Sequence, residues 1–128
     1  MTFDERFFPP APVAAFSVIC LGDEQPGEGL LDTGSSQSVL PLSAIPESAE
    51  PEGWRLVHFL TGPRLLRAYQ VSIRIFGVEV PVLAAAASDD EMNQIMPAPV
   101  ETLALIGRDV LNATRWRFDG PARQVAAD

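Results

Sequence analysis

Asp32, Thr33, Gly34 and Ser35 are the residues of this chain best suited to chemistry, and the run occurs once in 128 residues. A carboxylate set beside a second carboxylate can share the work of hydrolysis: the ionised one takes a proton from water, while the protonated one polarises an acceptor oxygen. Two such groups about 3 Å apart resist simultaneous ionisation, which keeps one of them protonated. One copy of the run therefore calls for two chains. Gly34 can adopt backbone angles closed to other residues and lets its amide approach a carboxylate, Thr33 brings a hydroxyl, and Ser35 brings another that could donate to the carboxylate. Asp and Gly are also common in ordinary turns, so the run needs support from elsewhere.

That support comes from Ala104, Leu105, Ile106, Gly107, Arg108, Asp109, Val110 and Leu111, in which two apolar residues precede Gly-Arg-Asp and two follow. Together the two segments resemble the paired signatures of the retropepsin-like aspartic proteases. The resemblance covers roughly residues 16–118 and is strongest at the two motifs. It implies an all-β domain, one lobe of the acid protease fold, with a closed barrel and one short C-terminal helix. It also implies a homodimer that hydrolyses peptide or protein substrates, using a water held between two Asp32 carboxylates and no cofactor or metal. Thr33 would bond across the dimer axis, Gly107 and the apolar residues before it would pack beneath the turn, and Arg108 would pair with a carboxylate. A hairpin tip at Leu60, Thr61, Gly62 and Pro63 would be the flap, and the chain ends would join the interface.

The chain departs in three places from the viral members of the family it resembles. Ser36 stands where they often carry Asp, so Arg108 must find another partner, such as Asp109 or an acid of the N-terminal arm. The flap has only Gly62 near its tip, followed by Pro63, which implies a stiffer cover. The residues beyond Gly107 suffice for an extra C-terminal hairpin, so the interface is expected to differ. A second reading, from another class, is a catalytically silent retropepsin-like module for dimerisation or peptide binding.

Size and composition agree with one globular domain over residues 1–128, with 47% hydrophobic and 20% charged residues. The formal charge of -8 disfavours nucleic-acid phosphates and anionic lipid, and would favour neutral or basic peptides. Cys20 is alone, which excludes an internal disulfide and argues for a small buried apolar side chain in a reducing compartment. The acidic, proline-interrupted start fails as a signal peptide, and no apolar run is long enough for a membrane helix, so the cytoplasm is the expected location. His58, the single histidine, reads as an ordinary strand residue, and Trp54 and Trp116 read as packing residues.

The elements that must position Asp32 follow from alternation and turn chemistry. Residues 1–13 read as an extended arm with Phe7 and Phe8 among prolines. Residues 14–21 read as a strand, 22–27 as a loop, and 29–31 as a strand feeding the Asp32 turn. Val39 and Leu40 resume the apolar pattern, 43–53 is a surface loop, and 54–60 with 65–75 form a hairpin around a turn at 61–64. Val71, Ile73 and Ile75 alternate with Ser72 and Arg74, as a half-buried strand requires. After Gly77 come a strand over 78–85, a helix start at Ser88 with acids in its first turn, and a loop with Pro97 and Pro99. A buried strand at 103–106, a brief helix at 108–113 and a hairpin with a turn at Asp119 and Gly120 complete the reading.

Overall fold

The computed structural model describes residues 3–4, 11–59, 61–95 and 103–127. Phe7 and Phe8 of the expected arm, the flap candidate Leu60, and Pro97 and Pro99 lie outside them. The strands are β1 (Phe3–Asp4), β2 (Ala11–Cys20), β3 (Asp23–Leu31), β4 (Val39–Pro41), β5 (Gly53–Phe59), β6 (Gly62–Ile75), β7 (Val78–Ala87), β8 (Leu103–Ile106), β9 (Trp116–Asp119) and β10 (Gln124–Ala127). Two short helices, α1 (Asp89–Ile95) and α2 (Arg108–Leu111), accompany them, where the sequence reading placed a helix start at Ser88 and a brief helix after Gly107, so the domain is all-β.

The ladder runs from β2 to β3, β8, β4, β7 and β6, and β6 pairs again with β2. β3–β8 and β4–β7 are parallel; the other pairs of this ring are antiparallel. β5 extends outward from β6 and ends as a free edge among the described residues. The C-terminal strands form a separate hairpin whose Val125 is buried in the main core.

Side chains that alternate along the central strands divide between two cores. Leu31, Leu40, Ala104 and Ile106 join Phe16, Val18, Ile73 and Val110, whereas Leu30, Val39, Leu103 and Leu105 join Val57, Phe59 and Leu66 of the β5–β6 hairpin and Met92 of α1. These strands are buried on both faces, which is why Leu103 to Ile106 is apolar without interruption. The hairpin and α1 cover the second face. Ser88 and Glu91 start α1 with a reciprocal cap: the Glu91 N–H donates to Ser88 Oγ (3.3 Å) and the Ser88 N–H to Glu91 Oε1 (3.0 Å).

Several boundaries differ from the sequence reading, each for a local reason. Residues 11–13 of the expected arm are the start of β2, where Val13 pairs with Leu30 and Pro12 with Phe3. The expected loop at 22–27 is strand: the reversal takes only Leu21 and Gly22, both at positive φ (53° and 82°), and β3 begins at Asp23. Pro26 is tolerated because the Cys20–Asp23 pair closes a two-residue hairpin, and counting outward puts Ser17–Pro26 in a pair that exchanges no N–H. In the β5–β6 hairpin, strand pairing extends back to Phe59–Gly62, so Gly62 and Pro63 belong to β6 and not to a turn at 61–64. Trp116 packs as expected, stacked on Phe76 at 6.3 Å, but Trp54 is 61% exposed because the outer face of the edge hairpin is uncovered.

Candidate active site

Asp32 stands one residue beyond β3, and its N–H donates to the Ile106 carbonyl (2.9 Å), adding a rung to the β3–β8 pairing. Register is thereby fixed up to the functional residue itself. The Ser35 N–H donates to the Asp32 carbonyl (3.2 Å) to close the turn, and the Gly34 N–H donates to Asp32 Oδ1 (2.9 Å). A Cβ on Gly34 would lie 3.1 Å from that oxygen, so glycine keeps the approach open. The Asp32 carboxylate is half-buried, while Thr33 and Gly34 are exposed. Thr33 makes no side-chain hydrogen bond among the described residues; its carbonyl accepts from Arg108 Nη1 (2.7 Å).

The segment at Gly107 clamps the turn from the other side. The Arg108 N–H donates to the Ser35 carbonyl (2.9 Å), and a Cβ on Gly107 would meet the Gln37 carbonyl oxygen at 2.5 Å and carbon at 2.6 Å. Both obstacles are backbone, so glycine is required by the closeness of two chain segments. Beneath them, fully buried Ser38 forms a three-way junction: its hydroxyl donates to Asp109 Oδ1 (2.7 Å) and accepts from the Gly107 N–H (3.0 Å), while its N–H donates to Asp109 Oδ2 (3.0 Å). Together these bonds tie the Asp32 turn to α2.

Two expected roles are corrected. Asp109 supports the site through Ser38 and not as a partner of Arg108, because adjacent helical positions point in directions about 100° apart. Arg108 donates from Nη1 to the Thr33 carbonyl, and the acids of the N-terminal arm, its other expected partners, have side chains outside the described residues. Ser35 donates to the Gln37 carbonyl (2.7 Å) and not to a carboxylate, which stiffens the turn after Asp32.

The turn opens into a cavity of about 300 Å3, lined by Asp32, Gly34, Ser35 and Gln37 on one side, Val39 and Leu105 at the apolar base, and Val57 and His58 from β5. The flap candidates Thr61, Gly62 and Pro63 do not line it. Thr61 Oγ1 lies 3.5 Å from Gln94 Oε1 of α1, Gly62 takes φ +121°, and Pro63 pairs with His58. The hairpin thus meets Asp32 through its body and meets α1 at its end. Val57, His58 and Gln37 are site residues that the sequence reading missed; it placed Val57 and His58 in a strand of the hairpin, but no signal linked either to Asp32.

Cys20 is remote from this cavity in the ring's main core. Burial pushes its thiol above its ordinary pKa, with the Asp23 and Glu52 carboxylates adding to the shift, which keeps it protonated and unreactive at neutral pH. No helix of the described residues is long and apolar enough to cross a membrane. No family model matches the chain, and no curated protein matches it.

Proposed function

We propose that this chain is a retropepsin-like aspartic endopeptidase, acting as a homodimer in which each subunit supplies one Asp32. The observation that carries the reading is a half-exposed carboxylate on a turn pinned by β8 and α2, beside a cavity with an apolar base. A general base needs this combination: a fixed position, an exposed oxygen and a place for substrate. The ring of strand pairings supports assignment to a one-lobe acid protease barrel.

In the proposed dimer one Asp32 is ionised and the other is protonated. The first takes a proton from the water between them as the water oxygen attacks the peptide carbonyl carbon; the second gives its proton to the carbonyl oxygen. The tetrahedral diol collapses when a proton passes to the nitrogen and the C–N bond breaks, releasing an acid and an amine. The Gly34 N–H holds Oδ1 of Asp32 in place throughout. Thr33, exposed at the same surface, is available for a hydrogen bond to the second subunit. A cytoplasmic setting belongs to the same proposal and is supported by the lone buried thiol.

The test is a peptide-library digestion from acidic to neutral pH, with wild-type protein and Asp32→Asn beside sedimentation of both. Cleavage by the wild type, blocked by a statine-type inhibitor and lost in a variant that still dimerises, is the expected result. Absence of cleavage with intact dimers and retained peptide affinity would favour the silent binding module instead.

A further inference from the structure

Among the described residues β5 carries a free edge, and Val57 and His58 of this strand line the Asp32 cavity. Pro63 has no N–H, so the His58–Pro63 pair exchanges no such bond, and alternation then directs the N–H and C=O of Trp54, Leu56 and His58 away from β6. Such an edge ordinarily recruits another strand. Here one rung is already taken: Gln37 Nε2, from the segment after the active-site turn, donates to the Leu56 carbonyl. Val57 and His58, the next residues of that strand, line the cavity with Asp32 and Gln37.

We propose that Gln37 is a positioning residue whose carboxamide holds the place of a substrate backbone N–H, so that an extended peptide must displace it from Leu56 to reach Asp32. The inference rests on the reading that this cavity receives a peptide. Gln37 can let go cheaply. Its backbone stays fixed by the Ser35 hydroxyl on its carbonyl and by the close approach of Gly107, so only side-chain torsions need to change. Exchange of one neutral hydrogen bond for another costs little, but the lost bond opposes every ligand equally. Selection for extended, unblocked backbone follows, because a segment without an N–H at that rung cannot replace the bond it breaks.

The experiment measures binding of a statine-containing peptide, and of analogues N-methylated at one amide at a time, to wild type, Gln37→Ala and Gln37→Asn. Removal of the competing carboxamide in Gln37→Ala, and its withdrawal by one methylene in Gln37→Asn, is expected to tighten binding of the parent peptide by roughly 3- to 10-fold in both variants. The Gln37 side-chain amide resonance of the wild type should shift on saturation, and methylation at one position should abolish the variants' gain. An unmoved Gln37 resonance, equal or weaker binding by both variants, or no binding by any of the three proteins would overturn the proposal. Catalysis is judged apart from it: tighter binding by the variants without turnover by the wild type retains the Gln37 role and removes the protease reading. Turnover with unchanged affinities does the reverse.

Discussion

Ser38 decides whether the turn bearing Asp32 and the helix behind it act as one body. Its hydroxyl and amide satisfy both Asp109 oxygens and the Gly107 N–H in a fully buried setting. Ser38→Ala would leave a carboxylate oxygen and an amide short of partners and should cost about 2–3 kcal/mol in urea unfolding, whereas Ser35→Ala should cost less than about 1.5 kcal/mol. Gly107→Ala forces backbone apart from backbone and should destabilise by about 3 kcal/mol. Neither Ser38 nor Gly107 touches the cavity, so soluble variants that retain peptide binding but lose turnover would indicate that turn geometry governs rate. Cys20 gives a pH prediction. Its folded-state pKa is raised by burial, so the thiol's contribution is whole below the ordinary thiol value of 9.0 and declines as pH climbs above it, because unfolded chains lose the proton first. Chemical denaturation on the alkaline side should show that decline, and Cys20→Ala should flatten it.

Much of the element order was legible in the residues because burial follows the strand period. Val71, Ile73 and Ile75 are each 3% exposed or less, as their alternation required, and the helix start at Ser88 was visible in the acids that follow it, to which the structure adds the reciprocal cap between Ser88 and Glu91. Turns were less legible. Gly22 was recognised as a breaker, but the left-handed angle of Leu21, which allows reversal in two residues, has no sequence signature in an apolar side chain. Pro26 was read as a loop residue because proline is excluded from paired strands in general, although not from positions whose N–H would face away from the partner. Pro26→Ala should accordingly leave β3 intact and change stability by less than about 1 kcal/mol, measured by thermal unfolding. His58 was illegible as a site residue for a different reason: it lines the Asp32 cavity only through a contact between segments that are distant in sequence, whereas Gln37 lies close to Asp32 in the chain but carries no signal of its bond to the Leu56 carbonyl.

At the scale of the molecule, net charge was a poor guide to the surface around the site. The chain carries -8 overall, but residues 53–78 contain Arg55, Arg64, Arg67 and Arg74 with no acid, and only Arg74 among these is paired with Glu24 and Glu79 in the described structure. The expectation of basic substrates therefore has a local counterweight in the hairpin that lines the cavity. The expected extra C-terminal hairpin is present, and it packs on its own subunit: Val125 enters the main core and Trp116 stacks on Phe76. The chain offers a single Asp32, so the proposed shared site requires a second copy.

Shared catalysis between subunits is tested most directly by mixing wild-type protein with excess Asp32→Asn under conditions of subunit exchange and measuring turnover per wild-type chain. Random pairing with a tenfold excess should lower that turnover to roughly one eleventh, because few wild-type chains then meet another intact carboxylate. Turnover per wild-type chain that stays constant across the mixture would show that one Asp32 suffices and would contradict the account.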